Sequence, residues 1–180
     1  RELPIDIVWH SKSIMAHDEV QKQRTESEQP EPLIILREHR ELALDAVQVF
    51  IYTHDQSNLF AVTMTVFDQM DLDVLDARVI TASRDFALDS YVLLDRHGTL
   101  LTDTERQTEL VERLKQAFIS PTLPEVAQRR MPRQLKHFHV PTKVSFSFNP
   151  QSNQHMMILE TLDQPALLAR VGQVFLAHDI

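Results

Sequence analysis

Between Val47 and Phe148 apolar positions recur with two periods, and the changes of period divide the chain into elements. Val47 to Thr53 is a run of β-branched and aromatic residues that predicts a buried strand, closed by the polar tetrad Asp55-Gln56-Ser57-Asn58. Leu59, Val62, Val66 and Met70 then recur every three or four residues with Phe60 and Phe67 beside them, the stripe of an amphipathic helix. From Val74 to Thr81 the pattern alternates, turns at Ser83-Arg84-Asp85, and alternates again from Phe86 to Leu94, which predicts a hairpin. Gly98 marks a loop. Thr104-x-x-Gln107 reads as a capping box opening a helix with Leu110, Leu114, Ala117 and Phe118 on one side, stopped at Ser120-Pro121. Val144, Phe146 and Phe148 alternate with Lys143, Ser145 and Ser147, a strand with one wet face, and the short run Leu33 to Leu36 fits an edge strand.

The order strand, helix, strand, strand, helix, strand predicts an α+β fold of the ferredoxin-like βαββαβ kind, with both helices on one sheet face. The other face is expected to be apolar and to bury itself against a second copy. Ahead of this unit, residues 5–17 carry a loosely helical apolar face behind Pro4, and Asp18 to Pro32 is almost wholly polar. Such a segment buries too little to offset its ordering entropy, so residues 1–32 read as a helical tail and linker.

Composition narrows the chemistry. A net charge of −8 argues against nucleic acid as the main partner, and no apolar run approaches the roughly 18 residues of a membrane span. There is no cysteine, hence no thiol nucleophile and no Cys-based metal site, which fits a cytoplasmic setting. With only two glycines, Gly98 and Gly172, neither a P-loop nor a G-x-G-x-x-G cradle can be written. Because it begins at Arg1, the chain is expected to be a piece of something longer.

The sequence also repeats itself. A shift of 108 residues lays Thr53-His-Asp-Gln-Ser-Asn-Leu-Phe-Ala over Thr161-Leu-Asp-Gln-Pro-Ala-Leu-Leu-Ala, and eight of the twenty positions that start at 53 and 161 are identical. The expected division is therefore a first unit at 33–150 and a truncated second unit at 151–180, with a strand from Met156 to Thr161 and a helix from Asp163 to about Ala177.

A strand ending in Asp-Gln-x-x-Leu, running into an amphipathic helix within a tandemly repeated βαββαβ unit, resembles the ACT family of small-molecule regulatory domains. Leu75-Asp-Ala-Arg78, Ala87-Leu-Asp-Ser-Tyr-Val-Leu-Leu-Asp95, Lys136-His-Phe138 and Leu162-Asp-Gln-Pro-Ala-Leu-Leu-Ala-Arg-Val-Gly172 extend the likeness. With the Val8-Trp-His10 segment, they resemble the C-terminal region of the bifunctional uridylyltransferase/uridylyl-removing family that modifies the nitrogen-regulatory protein PII. The resemblance implies a glutamine-sensing regulatory segment without catalysis of its own. Its partners would be L-glutamine, upstream nucleotidyltransferase and HD-type hydrolase domains of the same chain, PII through those domains, and further ACT units by self-association. A cofactor is expected only for the parent, as magnesium at its nucleotidyltransferase centre.

In that frame the turns before the two repeated helices are the expected ligand contacts: Asp55, Gln56, Asn58 and Leu59 in the first copy, Asp163 and Gln164 in the second. Backbone N–H groups at a helix start suit a carboxylate, an Asp suits an ammonium group, and Gln or Asn suits an amide. Helix capping by Asp55 or Ser57 competes with that role. The ACT pattern commonly has Gly before the Leu, where this chain has Asn58 and Ala166; Asn tolerates a left-handed backbone and Ala does so poorly, so a close backbone approach to a ligand is less expected at the second copy. The dipeptides His17-Asp18, His54-Asp55 and His178-Asp179 read as chance, and Asp71-Leu-Asp73 as a surface pair. His137 and His139 read as packed or solvated imidazoles, and the basic cluster Arg129, Arg130, Arg133 and Lys136 as a solvated run. The competing reading of the whole is an ACT-type dimerisation or packing element without a ligand, or a sensor of another amino acid.

Overall fold

The computed structural model describes residues 31–39, 46–82, 86–96, 102–119, 125–126, 140–151 and 153–178. The expected helix at 5–17, most of the polar linker, the Ser83–Asp85 turn, Gly98, Ser120-Pro121 and the segment with the basic cluster, His137 and His139 lie outside them. The elements run β1 (Leu33–Glu38), β2 (Ala46–His54), α1 (Leu59–Gln69), β3 (Leu72–Ala82), β4 (Phe86–Asp95), α2 (Thr104–Ile119), β5 (Lys143–Asn149), β6 (Gln154–Glu160) and α3 (Leu167–Ala177). The fold is α+β with antiparallel sheets, and the pattern of apolar positions located each of these elements to within a few residues.

One assignment changes. Four strands form a sheet in the order β1-β2-β4-β3, antiparallel throughout, and β5 is not among them. The place beside β2 expected for the 143–148 strand is held by β1, whose Leu36 faces Val49 across the ladder. Both displacements have one cause: β1 reaches β2, and β5 reaches β6, through short connections, and neighbours in sequence pair before distant strands do. β5 and β6 make their own two-stranded sheet, with Phe146 opposite Met157.

Val47, Val49 and Ile51 of β2 and Ala87, Tyr91 and Leu93 of β4 face α1 and α2, meeting Leu59, Val62, Val66, Phe67, Leu110 and Leu114 in one buried cluster. The opposite face was expected to bury itself against a second copy; along β2 it is already covered within this chain, with Phe50 1% exposed and Gln48 9%. Gln48 binds that layer together, accepting from Arg37 Nε at 2.8 Å and donating to Ser90 Oγ at 2.8 Å. The α2 cap lies one residue before the expected box. Asp103 Oδ1 accepts the backbone N–H groups of Glu105 and Arg106 at 2.9 and 3.2 Å. Arg106 then donates to both carboxylate oxygens of buried Asp95, at 2.9 and 3.2 Å, and to the Met70 carbonyl at 2.8 Å, locking α2 to the ends of β4 and α1.

Candidate ligand site at the seam of the repeat

The internal repeat is structural as well as sequential. β1-β2-α1 recurs as β5-β6-α3, and the bounds of the two helices differ by the same 108 residues as the sequence repeat. Their first turns are closed alike: Leu59 N–H donates to the Gln56 carbonyl at 3.0 Å and Leu167 N–H to that of Gln164 at 3.1 Å. The N-caps differ. Asn58 has φ −100° and its side chain makes no capping bond, whereas Ala166 is left-handed at φ 58°, ψ 24°. The expectation from residue type is thus reversed, since Asn avoids and Ala adopts the conformation that Ala disfavours by roughly 1–2 kcal/mol. Neither Asp55 nor Ser57 caps α1.

What holds Ala166 there is the first repeat. Its N–H donates to Asp68 Oδ1, near the end of α1, at 3.0 Å. Further along, α3 presents Gly172 to the start of α1, where a Cβ on Gly172 would stand 2.8 Å from Ala61 Cα. These two contacts fix α3 antiparallel to α1, and small residues at the crossing bring the helices together: Ala61 and Ala169 are 2% and 1% exposed.

The antiparallel pairing sends the two expected ligand loops to opposite ends of α1. Asp55, Gln56, Asn58 and Leu59 lie at its start; Asp55 and Gln56 are exposed, Gln56 Nε2 donates to the Phe118 carbonyl at 3.3 Å, and Leu59 is buried in the core. Asp163 and Gln164 lie at its end, about 15 Å away by helix rise, and both line a cavity of about 360 Å³ between α1, the start of β3 and the start of α3. The first four residues line no part of it.

The cavity has an apolar floor that includes Met64, Phe67, Leu72 and Leu167, and a charged rim of Asp68, Asp73, Arg96 and Asp163 with the Gln164 amide. Arg96 donates through Nε to Asp73 Oδ2 at 2.7 Å and through Nη2 to Asp73 Oδ1. That pairing, with Asp71 and Asp163 nearby, raises the affinity of Arg96 for its proton and keeps the guanidinium charged. Gln164 Oε1 accepts from Arg170 at 2.8 Å, which orients its amide. Asp73 lies at the surface as expected, its side chain 38% exposed, and also lines the cavity. Asp68 and Arg96 were missed altogether; the one trace of Asp68 in the sequence is a charge at the end of an apolar helix. Two sizes agree: the volume lies at the lower end of ligand pockets, roughly 300–1,000 Å³, where a single amino acid fits.

Two histidines of the His-Asp dipeptides are among the described residues, and neither lines the cavity. His54 stacks on Phe86 at 4.4 Å and His178 caps α3. Among the described residues no group of three or more His, Asp or Glu is placed to hold a metal ion, and no helix is long and apolar enough to cross a membrane.

Comparison with known proteins gives one consistent result. The chain is 64% identical over all 180 of its residues to the bifunctional uridylyltransferase/uridylyl-removing enzymes of Psychrobacter sp. strain PRwf-1 and Psychrobacter cryohalolentis. It is 49% identical over 181 aligned positions to the enzyme of that name from Acinetobacter baylyi. It spans about a fifth of the length of these relatives, 20% and 19%, and corresponds to their C-terminal part. No family model and no solved structure matches it.

Proposed function

We propose that this chain, as the segment corresponding to the C-terminal part of the bifunctional uridylyltransferase/uridylyl-removing enzymes, is their effector-sensing region and binds an amino acid between its two repeats. In this reading the first repeat is an ACT unit in which β1 completes a ferredoxin-like sheet, and β5-β6-α3 opens a second. The effector is L-glutamine. Its binding favours removal of UMP from PII over attachment, while catalysis belongs to nucleotidyltransferase and hydrolase domains of the same chain, in the cytoplasm.

The observation that carries the proposal is the position of the cavity. It lies on the seam between the repeats, with Asp68, Asp73 and Arg96 from one and Asp163 and Gln164 from the other. A ligand there touches both halves at once, so its affinity depends on how they are set against each other. Only such a difference between arrangements can shift a population and reach a distant active site. Calorimetric titration of the chain with L-glutamine, beside L-glutamate, tests this: one saturable event with glutamine supports it, and silence with both sinks it.

One observation favours a packing role instead. Val144, Phe146 and Phe148 of β5 are 52%, 74% and 50% exposed, an apolar face of a kind that packs against other protein. If the chain binds neither amino acid yet self-associates through that face, the ACT-type dimerisation reading takes precedence.

A further inference from the structure

The two ends of the helix pair are related by the repeat, yet they are not equivalent. The residue that corresponds to Asp68 in the second copy is Leu176, and the residue that corresponds to Ala166 in the first is Asn58. The Asp163 end thus has a left-handed N-cap held by a carboxylate, while the Asp55 end has an ordinary N-cap and an isobutyl group where that carboxylate would be. At the Asp163 end two groups have bonding capacity left. Arg96 uses Nε and one Nη2 proton on Asp73, side-on, which leaves the end-on pair of N–H groups on Nη1 and Nη2 without a partner among the described residues. Asp163 lines the same cavity and makes no hydrogen bond among the described residues.

From this geometry we infer that Arg96 is the carboxylate-binding residue of the cavity and Asp163 its ammonium-binding residue, so that the site selects free α-amino acids and lies at the Asp163 end of the helix pair, not at the Asp55 end. An end-on guanidinium fork matches the two oxygens of a carboxylate. Asp73 holds that fork in place from the side and is not displaced. Asp163, which lines the same cavity and lies near enough to act on the charge of Arg96, takes the ammonium end of a zwitterion. The Gln164 amide, oriented by Arg170, remains for the ligand's own side chain. The apolar floor of Met64 and Phe67 packs against its methylenes.

The inference rests on the effector-binding reading above, and the test separates the two. Titrations of the wild-type chain with L-glutamine, its C-terminal amide and its N-acetyl derivative are run beside Arg96→Gln, Asp163→Asn and Asp55→Asn, each first checked for an unchanged circular dichroism spectrum. Expected are at least tenfold weaker binding of both derivatives by the wild type and at least tenfold weaker binding of glutamine by Arg96→Gln and Asp163→Asn. Arg96→Gln should also lose the preference for the free acid over the amide, a change that mere loosening of the fold does not produce. Asp55→Asn should bind as the wild type does. Glutamine binding that survives Arg96→Gln, or that falls with Asp55→Asn, overturns the inference and leaves the effector reading standing. Silence of the wild-type chain overturns both.

Discussion

Asp68 and Ala166, 98 residues apart, are joined by one hydrogen bond of 3.0 Å from the backbone N–H of Ala166 to the carboxylate of Asp68. The bond couples a strained residue of the second repeat to a charged residue of the first. Ala166 is held at φ 58° and is 8% exposed, so the strain is borne in a packed place. Ala166→Gly removes the clash of Cβ with the backbone while keeping the N–H. It is expected to stabilise the seam by up to about 1 kcal/mol. Asp68→Ala removes the acceptor and is expected to cost about 1.5–3 kcal/mol, the range for a hydrogen bond to a charged group. Urea unfolding followed through α3 checks both, and an Ala166→Gly variant less stable than the wild type would refute the account of strain.

Gly172 sets the distance between α1 and α3. A methyl group there meets Ala61 Cα at 2.8 Å and Phe60 Cδ1 at 3.1 Å. The first of these is backbone and cannot swing aside. Gly172→Ala should therefore push the helices apart at a cost of about 1–3 kcal/mol, outweighing the helix propensity it gains. Tyr91, Leu110 and Leu114 are fully buried on β4 and α2, whereas α3 packs chiefly against α1. Loss should appear as faster amide hydrogen exchange in α3 with little change in β2 or β4. Uniform acceleration throughout the chain contradicts this.

What the sequence made legible, and what it did not, follows from the range of the interactions. Leu59, Val62, Val66, Leu110 and Leu114 announce their helices because one face of a helix must be apolar, and that is a local pattern. The 108-residue repeat foretold that 163–164 would mirror 55–56, and the turns at Gln56 and Gln164 are indeed closed alike. Which strand would sit beside β2 was hidden, since β1 and β5 are both short apolar runs and the choice is made by chain connectivity. The site was half hidden for the same reason. Asp163 and Gln164 line the cavity, but Asp73 and Arg96 meet only because β3 and β4 are neighbours, and Asp68 comes in only through α3 packing against α1. No spacing in the sequence encodes an antiparallel crossing of two helices 98 residues apart.

Tyr91 makes the core sensitive to alkali. Its ring is fully buried, edge-on to Phe67 with centroids 5.3 Å apart, and its hydroxyl donates to Asp89 Oδ2 at 2.9 Å. Burial first, then the neighbouring Asp89 carboxylate, push the phenol far above its ordinary range. In the unfolded chain the same group titrates near pH 10. Between those two values the native state keeps a proton that the unfolded state has lost, so stability falls as pH rises, by about 1.4 kcal/mol per pH unit for one proton. Below about pH 10 the contribution is present in full. Tyr91→Phe removes both the titration and the donor to Asp89, and should cost about 1–3 kcal/mol at neutral pH. The gap between wild type and variant should then narrow as pH rises from 9.5 to 11, because only the wild type carries the extra slope. Urea unfolding of both proteins across that range measures it. Parallel curves would mean that Tyr91 ionises in the folded protein as it does in the unfolded one, and would sink the assignment of its buried, neutral state.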